Sequence, residues 1–398
     1  MDLEVIIAIV FVLFLCILLY LKRKELVVQK IFYPFLYIIM YRTKLGLKLM
    51  DSLSEKYREY VKLFGYISVG IGFVGMIYVA FSVVLLIFKI IFQPTATDPG
   101  VMLVLPFTNI PGLGILPFTD WLISIFVLAI VHEFAHGVVA RAHNLEVTSS
   151  GFAILGVLIP IIPAAFVEPN EKKMKKQQDI VQYSILAAGP VANIVFALII
   201  LLISSWIVFP IEAKITQPVG FSFDIMNGSL PAAQAGLTTG MIIDYYNDKK
   251  IKSYEDFVYN FQYCVKPEDK ISFGSGNQSY VITTTANPDD KTKPLIGVKN
   301  IKNEVKVKGG YEWLAPFIFK IKSLLKWLFI LNLLIGLANL LPLGIVDGGR
   351  MLQVALHKVV NNKEKAQKIW VFIAVLFLVF LVFGLLINYL GNPFAMFG

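Results

Sequence analysis

The feature that most constrains this chain is the recurrence of apolar blocks of span length, at 3–21, 64–92, 120–141, 183–209, 316–346 and 369–389. A run of roughly 18 or more apolar residues can cross a ~30 Å hydrocarbon core as a helix, and is far longer than an ordinary strand. Overall, 57% of the residues are hydrophobic and 16% are charged, against roughly half and a quarter in a soluble domain. The expected fold class is a polytopic α-helical membrane protein with about six transmembrane helices and a soluble, β-rich insert.

Charge distributes as such a topology requires. The net charge of +9 would suggest nucleic acid in a soluble protein, but no Arg/Lys stripe with interleaved aromatics marks such a surface. With six spans and both ends outside, the basic residues at 22–24, 42–48, 141, 172–176 and 358–368 all fall on the cytoplasmic side. The first block has Asp2 and Glu4 before it and Lys22, Arg23 and Lys24 after it, the reverse of a cleavable signal, and reads as a retained anchor. Segment 27–41 is short, carries Lys30 and has basic flanks; it is expected to be a helix lying in the interface. Segment 151–167 is apolar but contains Pro160 and Pro163, which remove backbone donors, so a re-entrant hairpin is expected. Cys16 and Cys264 imply no disulfide framework. The expected divisions are an N-terminal membrane region at 1–118 (two spans plus the interfacial helix) and a membrane core carrying the chemistry at 119–210. A soluble insert outside the membrane follows at 211–310, then a C-terminal membrane region at 311–398.

The chemistry concentrates in His132-Glu133-Phe134-Ala135-His136, inside the third span. Residues four apart share a helix face, so both imidazoles can bind one metal and Glu133 can act as base on a metal-activated water. Intramembrane ionisable groups are costly and mark function. A catalytic zinc takes three protein ligands. The downstream pattern of soluble zinc proteases with this motif would put Gly at 139 and the third ligand, His, at 142; the residues are Val139 and Ala142. Asp347 is the favoured third ligand, because the same topology brings it to the cytoplasmic end of the fifth span, near both His; His143, Glu146 and Glu168 are the alternatives. Zinc is expected from ligand type, with iron or cobalt also compatible. Asn193 and Asn339 interrupt other spans and can stabilise an oxyanion or hold substrate, or serve helix–helix hydrogen bonding. A metal transporter or a silent scaffold are the rival classes; the first would show several such clusters along a path.

The motifs HEFAH (132–136), AFVEP (165–169), AAGPVAN (187–193) and NLLPLGIVDGGR (339–350) together resemble the site-2 protease family of intramembrane metalloproteases. The resemblance implies one zinc held by His132, His136 and Asp347, with Glu133 as base. It implies hydrolysis of membrane-anchored proteins in regulated proteolysis; the charge rule, separately, places the active site toward the cytoplasm, and the sequence marks no nucleic-acid partner. The insert, from Gly220 through Ser229-Leu-Pro-Ala-Ala to Gly240, resembles a PDZ domain. That implies capture of substrate termini by strand addition, with Gly220, Phe221, Ser222 and Phe223 as the peptide-binding loop.

Overall fold

A computed structural model describes residues 3–32, 36–92, 101–110, 112–157, 159–288 and 290–391. The chain opens with α1 (Leu3–Lys22), β1 (Leu26–Phe32), β2 (Leu36–Thr43), α2 (Leu47–Lys56) and α3 (Arg58–Phe92). After two short strands, β3 (Asn109–Ile110) and β4 (Gly114–Ile115), come α4 (Phe118–Ala142), β5 (Val147–Val157), β6 (Ile159–Pro169), α5 (Glu171–Met174) and α6 (Asp179–Ile203). A π-type turn (Ser204–Val208) joins α6 to α7 (Phe209–Ile215), which leads into β7 (Thr216–Ile225), α8 (Pro231–Gln234), β8 (Tyr245–Tyr246), β9 (Lys249–Lys250) and α9 (Glu255–Cys264). Then follow β10 (Lys270–Ser275), β11 (Gln278–Thr283), β12 (Thr285–Ala286), β13 (Pro294–Leu295), β14 (Val298–Val307), α10 (Ala315–Ala338), α11 (Asp347–Val359) and α12 (Lys363–Leu390).

Six helical stretches among the described residues are long and apolar enough to cross a bilayer: Leu3–Lys22, Arg58–Phe92, Phe118–Ala142, Asp179–Ile215, Ala315–Ala338 and Lys363–Leu390. The chain divides into two compact units: the first comprises Met1–Asn109, Ile115–Ile203 and Ser323–Gly398, the second Ile110–Gly114 and Ser204–Lys322. Within the first unit α4 is the most enclosed of the spans. It packs against α3, α6, α2 and β6. Ala187 and Ala188 of α6 are fully buried; between helices in lipid, where burial gives no hydrophobic gain, such small residues permit close backbone approach. Glu4 caps the start of α4, accepting hydrogen bonds from the Thr119 N–H and hydroxyl, both 2.8 Å. The fifth span is shorter than its apolar run. Helix α10 ends at Ala338, and a turn segment over 339–346 containing Pro342 delivers Asp347 to the start of α11, an amphipathic helix. Proline disfavours helix in the residue before it and blocks continuation.

The expected interfacial helix at 27–41 is corrected by the structure. Strands β1 and β2 pair antiparallel, with Val28 opposite Ile39, and β2 pairs in turn with β5, with Ile39 opposite Ile154. Strands β5 and β6 form the hairpin across 151–167, giving a four-stranded antiparallel sheet in the order β1-β2-β5-β6. The physical reason is local and nonlocal at once. The segment is rich in Val, Ile, Tyr and Phe, which fit a pleated surface, and Pro34 interrupts any continuous helix. The partner that satisfies the outer edge of β2 lies more than 100 residues away.

The second unit is a small domain of its own. Its core is Phe221, Phe223, Ile243, Phe257, Phe273 and Ile282. Strand β7 pairs with β14, and β10 is flanked by β11 and β8 in a second sheet, order β11-β10-β8-β9. Gly220 to Phe223 lie in β7. Phe221 and Phe223 are each 1% exposed. Phe221 exchanges both backbone hydrogen bonds with Ile243 on one edge (3.0 and 2.7 Å), and β14 fills the other. At Phe221 both edges of β7 are therefore engaged.

The sheet register yields a direct test. Directly opposed antiparallel residues have Cα atoms about 4.5–5.5 Å apart, inside the disulfide range. Ile39→Cys with Ile154→Cys, in a background with Cys16 and Cys264 replaced by Ser, is expected to cross-link under mild oxidation, seen as a mobility shift reversed by thiol. A helix at 27–41 leaves this pair unlinked.

Candidate metal centre

The site is built where α4, α6 and the turn before α11 meet. His132 and His136 are one helical turn apart on α4 and are each 8% exposed. Their Nε2 atoms lie 3.1 Å apart, and Asp347 Oδ2 lies 3.1 Å from the first and 3.3 Å from the second. These three are the one group of potential ligands found together among the described residues. The fit to a metal can be judged from this spacing. Ligands at ~2.0–2.1 Å in a tetrahedron lie ~3.3–3.4 Å from one another, so two imidazole nitrogens and a carboxylate oxygen already sit at about the edge lengths of a zinc site. Asp347 is the first residue of α11, where the positive end of the helix dipole favours its negative charge.

Each histidine is oriented from behind. His136 Nδ1 donates to the Ile185 carbonyl at 2.6 Å. His132 Nδ1 faces the Asn193 side-chain amide nitrogen at 3.4 Å, while Asn193 Oδ1 is buried without a partner. Exchanging the two amide atoms, which have the same shape, places Oδ1 against an Nδ1–H and satisfies both groups. That tautomer frees Nε2 for a metal, the usual arrangement behind a ligating histidine. Asn193 therefore contacts a ligand from its far side. Asn339, by contrast, lines the open cavity, and its carbonyl accepts from Gly348 N at 2.8 Å.

Two glycines make the meeting possible. A Cβ on Gly189 would lie 2.4 Å from His136 Nε2 and 2.9 Å from His132 Cε1, so α6 passes the imidazoles at a distance only glycine allows. A Cβ on Gly349 would lie 1.7 Å from the Leu343 carbonyl oxygen, which fixes glycine at the turn carrying Asp347. Sequence reasoning noted the small-residue motif around 189 but not this role; an Ala-Ala-Gly-Pro run inside a span is the signal for a close crossing.

The triad and Glu133 line a cavity of about 750 Å³, walled also by Glu168, Asn170, Lys172 and Arg350. Glu133 Oε2 accepts from the backbone N–H of Val167 at 3.0 Å. This N–H points away from β5, and Pro163 and Pro169 share its parity along β6, the outward positions where a missing N–H costs no ladder bond. Glu168 is not with the ligands. It pairs with Arg42 at 2.8 Å and accepts from Ser149. Partial burial pushes its carboxyl up, but those hydrogen bonds and the Arg42 charge hold it below its ordinary value. Glu146 is exposed and paired with Lys173 at 2.9 Å. His143 ends α4, with Nε2 3.2 Å from Ser184 Oγ and its ring edge-on to Tyr66.

A His-His-carboxylate donor set with an adjacent glutamate, inside a membrane helix bundle, defines a membrane metallohydrolase. The chain belongs to Peptidase family M50, the site-2 protease family that its motifs resemble; the family profile matches residues 121–381, well over half of the chain. It is similar to an uncharacterized protein of Methanocaldococcus jannaschii, 29% identical over 308 residues, which cover 77% of this chain and 74% of the relative. The family is one of intramembrane metalloproteases.

Gly189→Ala is expected to push His136 off its position and lower metal affinity at least 10-fold while the helical circular dichroism stays unchanged. Asn193→Ala is expected to cost roughly 10–100-fold in metal affinity, as loss of such partners generally does, with Asn193→Asp, which keeps the acceptor, recovering most of it. Competition with a fluorescent zinc chelator measures both.

Proposed function

We propose that this protein is a zinc endopeptidase that cuts membrane-anchored proteins by hydrolysis at a site facing the cytoplasm. The observation that carries the reading is the convergence of His132, His136 and Asp347 at zinc-like spacing beside Glu133, in a chain of this family. Zinc bound by these three would supply Lewis-acid activation of a water and of the scissile carbonyl. Glu133 takes the proton released as that water attacks and returns it to the leaving nitrogen. Asn193 and the Ile185 carbonyl hold the imidazoles in the tautomer that exposes Nε2. Asn339, on the cavity wall, is the candidate for holding the substrate or its oxyanion. The concentration of Lys and Arg at 22–24, 42–48, 172–176 and 358–368 supports the cytoplasmic assignment. The single donor group among the described residues favours an enzyme over a transporter, which would need several along a path.

A substrate helix hides its carbonyls in i→i−4 bonds and must unwind before attack. The outer edge of β6, beside Glu133, offers the freed backbone a strand to pair with. In the second unit β7 pairs with β14 and, at Phe221, with Ile243; β14 pairs with β7 alone among the described residues, and a substrate terminus captured there would add to its other edge.

Metal analysis of the detergent-purified chain tests the centre: about one zinc per protein is expected, lost in His132→Ala and Asp347→Ala. Zinc retained in Asp347→Ala rejects that ligand. Glu133→Gln is expected to keep zinc and lose cleavage of a single-span test protein by at least 1,000-fold; unchanged cleavage rejects Glu133 as base. Ala165→Pro removes an outward N–H of β6 without touching the β5 ladder. It is expected to slow cleavage about 10-fold or more at unchanged zinc content, and an unaltered rate would rule out pairing at this edge.

A further inference from the structure

Glu133 is the shared wall of two cavities. One is the polar chamber of the metal centre. The other is a smaller apolar cavity of about 130 Å³ that adjoins it, and Glu133, Phe166 and Val167 line both. The second cavity is lined further by Leu45, Met50, Ile130, Phe134 and Phe152. Its two hydroxyls are already engaged: Thr43 Oγ1 donates to the Ser150 carbonyl at 3.1 Å, and Ser150 Oγ donates to the Leu45 carbonyl at 2.5 Å. An entering polar side chain would therefore meet no free hydroxyl donor, and burying it unpaired is unfavourable.

We propose that this cavity is the specificity pocket of the peptidase, taking the aliphatic side chain of the residue whose nitrogen leaves, so that cleavage falls on the amino side of Leu, Ile, Met or Val. The assignment rests on the proteolytic reading above and follows from where the proton must go. Glu133 delivers it to the leaving nitrogen, which requires that nitrogen within about 2.6–3.2 Å of the carboxylate. The Cα of the same residue is one bond of ~1.46 Å further on, so its side chain starts beside Glu133. The residue on the carbonyl side is held instead toward His132, His136 and Asp347. Only the amine-side residue can reach a pocket that Glu133 itself borders.

Size selects within the apolar class. An apolar cavity of about 150 Å³ accommodates benzene. A cavity of about 130 Å³ suits a branched aliphatic side chain or Met, and excludes indole. Met50, 3% exposed and at the pocket wall, is the adaptable part of the lining, since Met repacks readily. Ala165 is the smallest side chain facing the space.

The test uses the zinc-loaded full chain in detergent with a proteome-derived peptide mixture, cleaved bonds being mapped by mass spectrometry and counted only if absent with Glu133→Gln. The expected result is enrichment of Leu, Ile, Met and Val over Gly, Asp, Lys and Trp on the amino side of the cut by roughly 10-fold or more, the scale on which hydrophobic pockets discriminate. Ala165→Leu, which fills the cavity, should shift that preference toward Ala and Gly; Met50→Ala, which enlarges it, should admit Phe and Trp. Both should keep about one zinc. Glu133-dependent cleavage with no amine-side preference, with a preference that neither variant moves, or with the shift on the carbonyl side would overturn the pocket while leaving the peptidase intact. Absence of any Glu133-dependent cleavage would overturn the pocket and the proteolytic reading together.

Discussion

The structure depends on bringing three ligand atoms from two separate stretches of chain to within 3.3 Å of one another inside a helix bundle. In lipid, apolar burial supplies little force between helices, so contact rests on close packing and polar pairing. The molecule meets this with small residues and with hydrogen bonds placed behind the ligands. Gly189 lets α6 lie directly on the imidazoles, the buried Ala187 meets Gly72 of α3, and Gly348 and Gly349 let the turn fold back on Leu340 and Leu343. Ser323 donates to Asp120 at 2.5 Å, tying α10 to α4 toward the starts of both helices. The same close approach that makes the centre makes it intolerant: a single methyl at 189 enters the space of His136.

A second constraint is that backbone away from helices must find partners or a water-filled wall. The segment at 339–346 meets it with short turns, Leu343 N to the Leu341 carbonyl at 2.8 Å among them. The four-stranded sheet solves the same problem on a larger scale. The hairpin β5–β6 alone would leave a long unpaired edge on β5. Strand β2 covers it, and β1 covers β2. The outer edge of β6 stays open beside the cavity, with one of its N–H groups already given to Glu133. Arg42 on β2 and Glu168 on β6 clamp the sheet across its width at this end.

These features differ in how far the sequence reveals them. His132 and His136 were legible because four-residue spacing is a local property of a helix. Asp347 was legible because the charge rule and the ligand count, argued separately, placed it at the same membrane face. The apolar spans were legible from length alone. Segment 27–41 was not, because a short basic apolar run suits an interfacial helix as well as a strand, and the deciding partner, β5, is remote in sequence. Gly220 to Phe223 show the same limit. A motif resemblance supplied residues but could not say which strand edge is free, and at Phe221 pairing with Ile243 and β14 engages both. The role of Asn193 needed coordinates, since its carbonyl oxygen lacks a partner only once His132 is seen beside it.

The placement of Glu133 at a boundary joins these threads. Glu133 borders both the polar chamber of the metal centre and the smaller apolar cavity beside it. On the proposed reading, a substrate helix gives up several internal hydrogen bonds to expose one peptide bond. Each is worth about 0.5–1.5 kcal/mol net, a sum that pairing along β6 and burial of one aliphatic side chain can largely offset. A Leu-sized group that unwinding would otherwise leave facing the water of the chamber gains roughly 1.5–3 kcal/mol by entering the cavity, relative to that exposed position. The sheet and the apolar cavity thus act on the same energetic problem from different sides: one replaces the hydrogen bonds of the unwound segment and the other rewards the register in which the scissile bond meets Glu133. A substrate that unwinds without placing an apolar residue beside the base gains only the first of these, which is why a pocket bordering the catalytic glutamate can select the bond that is cut.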